Sequence, residues 1–157
     1  MCRQEGLSVN QTRDYPEGDE AKAIVRRRFD ELDRGNVGIL DELFSPDYTL
    51  NFPGQEPLSL DQTRDFYRQM YSAFLDLRHE VVEQVSEGDK VVTRWRATGT
   101  HVGEFMGIAP TNQEVSFAGI NIYTFDGDKL SESQVAWDLL GLLAADPEVG
   151  DTTNTEL

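Results

Sequence analysis

The sequence predicts an α+β fold, with helices packed on one face of a mostly antiparallel sheet. Three observations carry this. Apolar residues recur at helical spacing between Asp19 and Phe74, the period changes to two from Leu77 onward, and two short turns, EGDK and DGDK, each separate a pair of alternating runs. Helices first and strands afterwards is the order of a segregated α+β domain. Helices on the concave side of a long sheet leave a pocket between the two layers, the usual place for a ligand.

The chain has 157 residues, enough for a single domain and a core that needs no staples. Residues 1–18 are polar, aperiodic and contain Pro16, which reads as a flexible arm. The domain is expected over 19–146, and 147–157 reads as an acidic flexible tail. Asp19 is placed to cap the first helix, DEAKAIVRRRFDEL, whose stripe is Ala21, Ile24, Val25, Phe29 and Leu32; DRGN stops it. VGILDELF gives a second, short helix closed by Pro46, and YTLNF a brief strand closed by PGQEP. Leu60 and Asp61 open a third helix, with Phe66, Met70, Ala73 and Phe74 on one face and Tyr67 and Tyr71 beside it.

The strands then sort their residues by alternation. Val115, Phe117, Gly119, Asn121, Tyr123 and Phe125 share one face; Ser116, Ala118, Ile120, Ile122 and Thr124 share the other. Both faces are substantially apolar, which predicts cover on both sides: helices on one, a second copy of the chain on the other. A homodimer formed sheet to sheet is expected. In the last strand Glu132, Gln134, Ala136 and Asp138 share a face opposite Ser133, Val135 and Trp137. LLGLLAAD, a short apolar segment, follows.

Net charge is −15, from 29 acidic against 14 basic residues, and only Lys22, Lys90 and Lys129 are lysines. Such a surface repels nucleic acid and anionic membrane, so neither is an expected partner. It fits a halophilic protein or an ordinary acidic one. The single cysteine, Cys2, excludes an intramolecular disulfide and a cysteine metal cluster, and two histidines, His79 and His101, argue against a histidine-rich metal site. No P-loop, dinucleotide fingerprint, serine elbow or zinc spacing occurs. No apolar run is long enough to span a membrane, and MCRQEGLSVN lacks a signal-peptide core; a cytoplasmic location is the default.

Asp138 is the foremost candidate for chemistry, an acid between Trp137 and LLGLL. A carboxylate there either has a raised pKa suited to general acid/base work or caps the segment that follows. His101 is either a base or a histidine bound to the strand-end backbone. Asn51 either orients a carbonyl or ends its strand. Glu104 reads as a solvated loop acid, and Arg94 and Arg96, opposite Thr93 and Trp95, as partners of surface carboxylates. Tyr67, Trp95, Phe105 and Met106 are core or pocket wall. Phe117, Asn121, Tyr123 and Gln134 join the candidate substrate contacts.

The stretch VVTRWRATGTHVGEFMGIAPTNQEVSFAGINIYTFDGDKLSESQVAWDLLGLL resembles the C-terminal half of the SnoaL-like polyketide cyclases, or ester cyclases, of the NTF2-like superfamily. The residues that carry it are Gly99, Thr100, His101, Gly103, Phe105, Gly107, Ile108, Pro110, Thr111, Gly119, Ile120, Tyr123, Gly127, Asp138 and Gly141. The resemblance implies an NTF2-like cone, a curved sheet wrapped around N-terminal helices with a deep pocket, usually dimeric. It implies no metal or cofactor, and gives an acid at Asp138 the role of general acid/base in an intramolecular aldol closure. The chain departs where many members have His (here Asn51), Trp (Gln134) and Gly (Asn112). Two functional classes follow. One is an acid/base enzyme on a small apolar carbonyl compound; the other is a non-catalytic module holding a small apolar molecule. A hydrolase or isomerase on the same fold is a third reading, and its epoxide-opening form needs an Asp-Arg-Asp set.

Overall fold

The computed structural model describes residues 14–138. The expected arm lies outside the described residues up to position 13, as do Cys2, the apolar segment after Asp138 and the acidic tail. The elements are α1 (Gly18–Asp33), α2 (Ile39–Leu43), β1 (Phe44–Asn51), β2 (Leu58–Ser59), α3 (Leu60–Ala73), β3 (Phe74–Glu87), β4 (Lys90–His101), β5 (Glu114–Asp126) and β6 (Lys129–Trp137). The strands form one sheet in the order β2-β1-β6-β5-β4-β3. β1 runs parallel to β6 and every other pairing is antiparallel. Register shifts in β3 and β6 mark the irregularities that bend such a sheet. The α+β fold expected from periodicity is therefore the observed one.

The two hairpins form where the turns are written. Glu87 pairs with Lys90 and Asp126 with Lys129, with Gly88 and Gly127 at φ of 58° and 60°. That left-handed backbone is what glycine supplies without strain. The faces of β5 also follow alternation. Val115, Phe117, Asn121, Tyr123 and Phe125 are buried under the helices, while Ser116, Ala118, Ile120 and Ile122 are exposed. Asn112 adopts φ 55°, so asparagine holds the left-handed position of the turn.

Three boundaries differ from the sequence reading. α1 begins at Gly18 with Glu17 as its cap residue, and Asp19 lies inside the first turn, where it favours the helix through the dipole instead of a cap bond. α2 stops at Leu43 because Phe44 and Tyr48 are drawn inward as strand residues, stacked at 4.1 Å. α3 stops at Ala73: Phe74 opens β3 opposite His101 and buries its ring against Phe105 and Phe117. At its start α3 carries a complete capping box between Ser59 and Gln62.

Candidate active site

α1 and α3 lie across the inner face of the sheet and leave a cleft between the layers. The space in the cleft and before its mouth, open solvent included, comes to about 390 Å³. Phe29, Phe52, Phe66, Tyr67, Trp95 and Trp137 make most of its wall, and Arg28, Tyr71, His79 and Asn121 are its polar residues. An apolar pocket with a few convergent polar groups is the usual form of a small-molecule site.

The chemistry gathers around two groups. Asp33 is the last residue of α1, where the helix dipole disfavours an anion. Three donors compensate: His79 Nδ1 at 2.8 Å, the His79 backbone N–H at 2.7 Å and the Tyr71 hydroxyl at 2.7 Å. Burial opposes its charge, but these bonds outweigh it and hold the carboxyl below the ordinary aspartate range. Burial pushes His79 below the ordinary histidine value, Arg28 adds to that, and Asp33 only partly offsets it. The imidazole is therefore neutral at pH 7. With its Nδ1–H committed to the carboxylate, Nε2 carries the free lone pair, the tautomer of a general base. The ring lies edge-on to Trp95, with centroids 5.3 Å apart.

The second group is Arg28, only 5% exposed, on the stripe that buries Ala21, Val25 and Leu32. Its guanidinium donates to the Tyr67 hydroxyl and lies over the rings of Phe29, Tyr67 and Tyr123, 4.4, 4.8 and 5.8 Å from their centroids. Burial opposes its charge, but the tyrosines around it raise its pKa overall. Beyond it, Trp95 Nε1 donates to Asn121 Oδ1 at 2.7 Å, and Asn121 Nδ2 to Ser133 Oγ at 2.8 Å. Among the described residues, no group of three or more His, Cys, Asp or Glu is placed to hold a metal.

Of the candidates read from sequence, Tyr67, Trp95 and Asn121 line the cleft. Phe105, Phe117 and Tyr123 are buried without lining it. Phe117 packs edge-on against Trp95 and Trp137, Phe105 against Trp137, and Tyr123 underlies Arg28. Asn51 ties β1 to β6 by donating to the Ser133 carbonyl at 3.2 Å. His101 is fully buried, stacked on Phe74 at 5.1 Å, with neither ring nitrogen hydrogen-bonded; it is absent from the cleft wall. Gln134 is exposed and bonded to Glu132, and Asp138 is exposed, its backbone N–H donating to the Ala118 carbonyl at 2.7 Å. Gln134 belongs to the outward face of β6, and Asp138 lies just past the end of that strand. Arg94 and Arg96 sit on the outer face beside Glu83 and Glu80, as expected. Arg28, Tyr71 and His79 line the cleft and Asp33 bonds to His79, though the sequence reading made none of the four a site candidate.

A bent, mostly antiparallel sheet with helices over an apolar cleft defines the ketosteroid isomerase-like, or NTF2-like, class. A protein of that fold from Catenulispora acidiphila superimposes with a TM-score of 0.66 at 15% identity, covering 78% of this chain and 91% of that one. Within the class, the sequence profile of the SnoaL-like polyketide cyclases matches residues 23–145, and the chain belongs to that family. AclR from Streptomyces galilaeus, a candidate hydroxylase, is similar at 29% identity and a TM-score of 0.73, over 80% of this chain and 93% of its own. A candidate SnoaL-like polyketide cyclase from Jannaschia sp. CCS1 gives 26% and 0.74, over 80% and 90%. TsrD from Streptomyces laurentii gives 25% and 0.73, over 81% and 95%. No curated protein matches the chain. Among the described residues no helix is long and apolar enough to cross a membrane.

Proposed function

We propose that this chain is a cofactor-independent acid/base enzyme acting on a small, largely apolar carbonyl compound in the cleft, with His79 as the proton shuttle. The observation that carries the reading is His79 on the cleft wall, joined behind it to Asp33 at 2.8 Å. His79 Nε2 takes a proton from a C–H flanked by carbonyls. The bond's electron pair becomes an enolate, and Asp33 stabilises the imidazolium so formed. The Tyr67 hydroxyl, polarised by accepting from Arg28, donates to the enolate oxygen. The enolate carbon attacks a second carbonyl of the same molecule, and the imidazolium returns the proton to the new alkoxide. Family membership and the aromatic wall support an aldol closure of this kind on a flat substrate.

A test needs no knowledge of the natural substrate. Methyl benzoylacetate in deuterium oxide, followed by proton NMR, should exchange its activated C–H faster with the protein than in buffer alone. Exchange at the buffer rate would overturn the proposal in favour of a binding module. Asp138, the acid that the resemblance names, separates the two assignments. With Asp138 exposed just past the end of β6, Asp138→Asn is expected to keep wild-type exchange. A collapse of the rate in that variant would move the acid/base to Asp138.

The outer sheet face supports the expected homodimer. Ile120 and Ile122 are 45% and 39% exposed on β5, beside Ala118 of the same strand and Ala136 of β6. We expect light scattering to give a dimer mass at tens of micromolar, and Ile120→Glu to give a monomer mass. A monomeric wild type would sink this contact.

A further inference from the structure

The substrate class can be narrowed by one group whose charge the acid/base chemistry leaves unmatched. Arg28 is a cation buried to within 5% of full enclosure, and among the described residues no carboxylate forms an ion pair with it. Its one side-chain hydrogen bond goes to the Tyr67 hydroxyl, and its Nε is buried without a partner. The nearby Tyr123 hydroxyl is buried without a partner as well. Asp33, the carboxylate on this side of the cleft, is already engaged by His79 and Tyr71. The cluster thus holds a cation with no anion to match it, and a buried charge left so is costly unless something pairs with it.

We propose that Arg28 binds a carboxylate on the substrate, which is therefore a flat, largely apolar monocarboxylate with its reacting carbonyl toward His79. One guanidinium matches one planar carboxylate in charge and shape. Phe29 connects the two ends of the site: Arg28 Cζ lies 4.4 Å from its ring centroid, and the His79 ring 5.5 Å from it. The aromatic wall supplies the seat for the flat body. A net charge of −15 repels anions in general, so any preference for one must arise locally.

This deepens the enzyme reading, yet its test measures binding alone and so fails separately from it. Both tryptophans of the chain, Trp95 and Trp137, line the cleft and report occupancy by their fluorescence. Full-length protein at pH 7.5 is titrated with 4-acetylbenzoate and with its methyl ester. The acid should bind about 10- to 100-fold tighter, the range for hydrogen bonds to a charged group. Arg28→Met should abolish that difference, and Arg28→Lys should keep part of it. Should Arg28→Met fail to fold, the acid-against-ester comparison on wild-type protein still decides. Equal or weaker binding of the acid, no saturable binding of either probe, or an unchanged preference in a folded Arg28→Met would each overturn the proposal.

Discussion

His79→Gln is expected to lower the rate of C–H exchange by about 10²- to 10⁴-fold, the usual contribution of a positioned general base. Glutamine keeps polarity and approximate size, so the cleft is preserved while the proton acceptor is lost. Asp33→Asn separates orientation from mere packing. The amide can accept from one of its present donors through Oδ1, but its NH₂ must face another donor, either the His79 backbone N–H or the ring. The maximum rate should fall, and the acid limb of the pH profile should move lower, because Asp33 is what raises the His79 pKa against burial. A role confined to holding the fold would lower the rate without moving the limb. The folded His79 pKa lies below 6.5, so the neutral base persists to lower pH than in the unfolded chain. Activity should be complete above pH 6.5 and fall on the acid side as pH passes the depressed value. Its contribution to stability is likewise complete above 6.5 and eroded below it, as only the unfolded chain takes up the proton. The Asp33 contribution persists down to 3.8 and is lost as pH falls through its lowered pKa. An acid limb centred at or above 6.5 in single-turnover kinetics would remove His79 as the base.

Local period made the layers legible and left the site mostly hidden. Alternation in β5 sorted Phe117, Asn121 and Tyr123 to the inside correctly, because one face of that strand meets the helices. The same alternation had placed Asp138 with Glu132, Gln134 and Ala136, and the inward residue there is Trp137. Apolar neighbours along the chain say little about the surroundings of an acid, because adjacent residues of a strand point to opposite sides. Arg28 was readable in principle: it falls on the 3.6-residue stripe of Ala21, Val25 and Leu32, where a charge is out of place. His79 stands two residues after the buried Leu77, a position that strand period turns inward. Asp33 was not readable. Its meaning lies in a contact 46 residues away, and no pattern within a helix reports that.

Gly119→Ala is expected to destabilise the protein, against the ordinary trend for its type. Glycine in a strand interior costs about 0.5–1 kcal/mol relative to alanine, so an unconstrained position would gain from the change. Here a Cβ would lie 2.4 Å from Trp95 Cζ2, 2.8 Å from Cε2 and 2.9 Å from Cη2. The glycine pairs with Trp95 across β4 and with Trp137 across β6, so an indole covers the bare backbone. The Trp95 ring cannot lift without loss, as it is 5% exposed and its Nε1 donates to Asn121. Displacing it adds an overpacking cost of about 1–3 kcal/mol to about 1–3 kcal/mol for the orphaned amide, and either outweighs the glycine gain. Ala118→Ser, one residue away on the exposed face, should stay within about 0.5 kcal/mol of wild type. Urea midpoints at equal m-value measure both. A Gly119→Ala variant as stable as wild type would mean that the indole moves freely, and then Trp95 could not hold Asn121 or the edge of His79 in place. A destabilised variant with slowed C–H exchange would instead tie the close approach of ring and backbone to the geometry of the cleft.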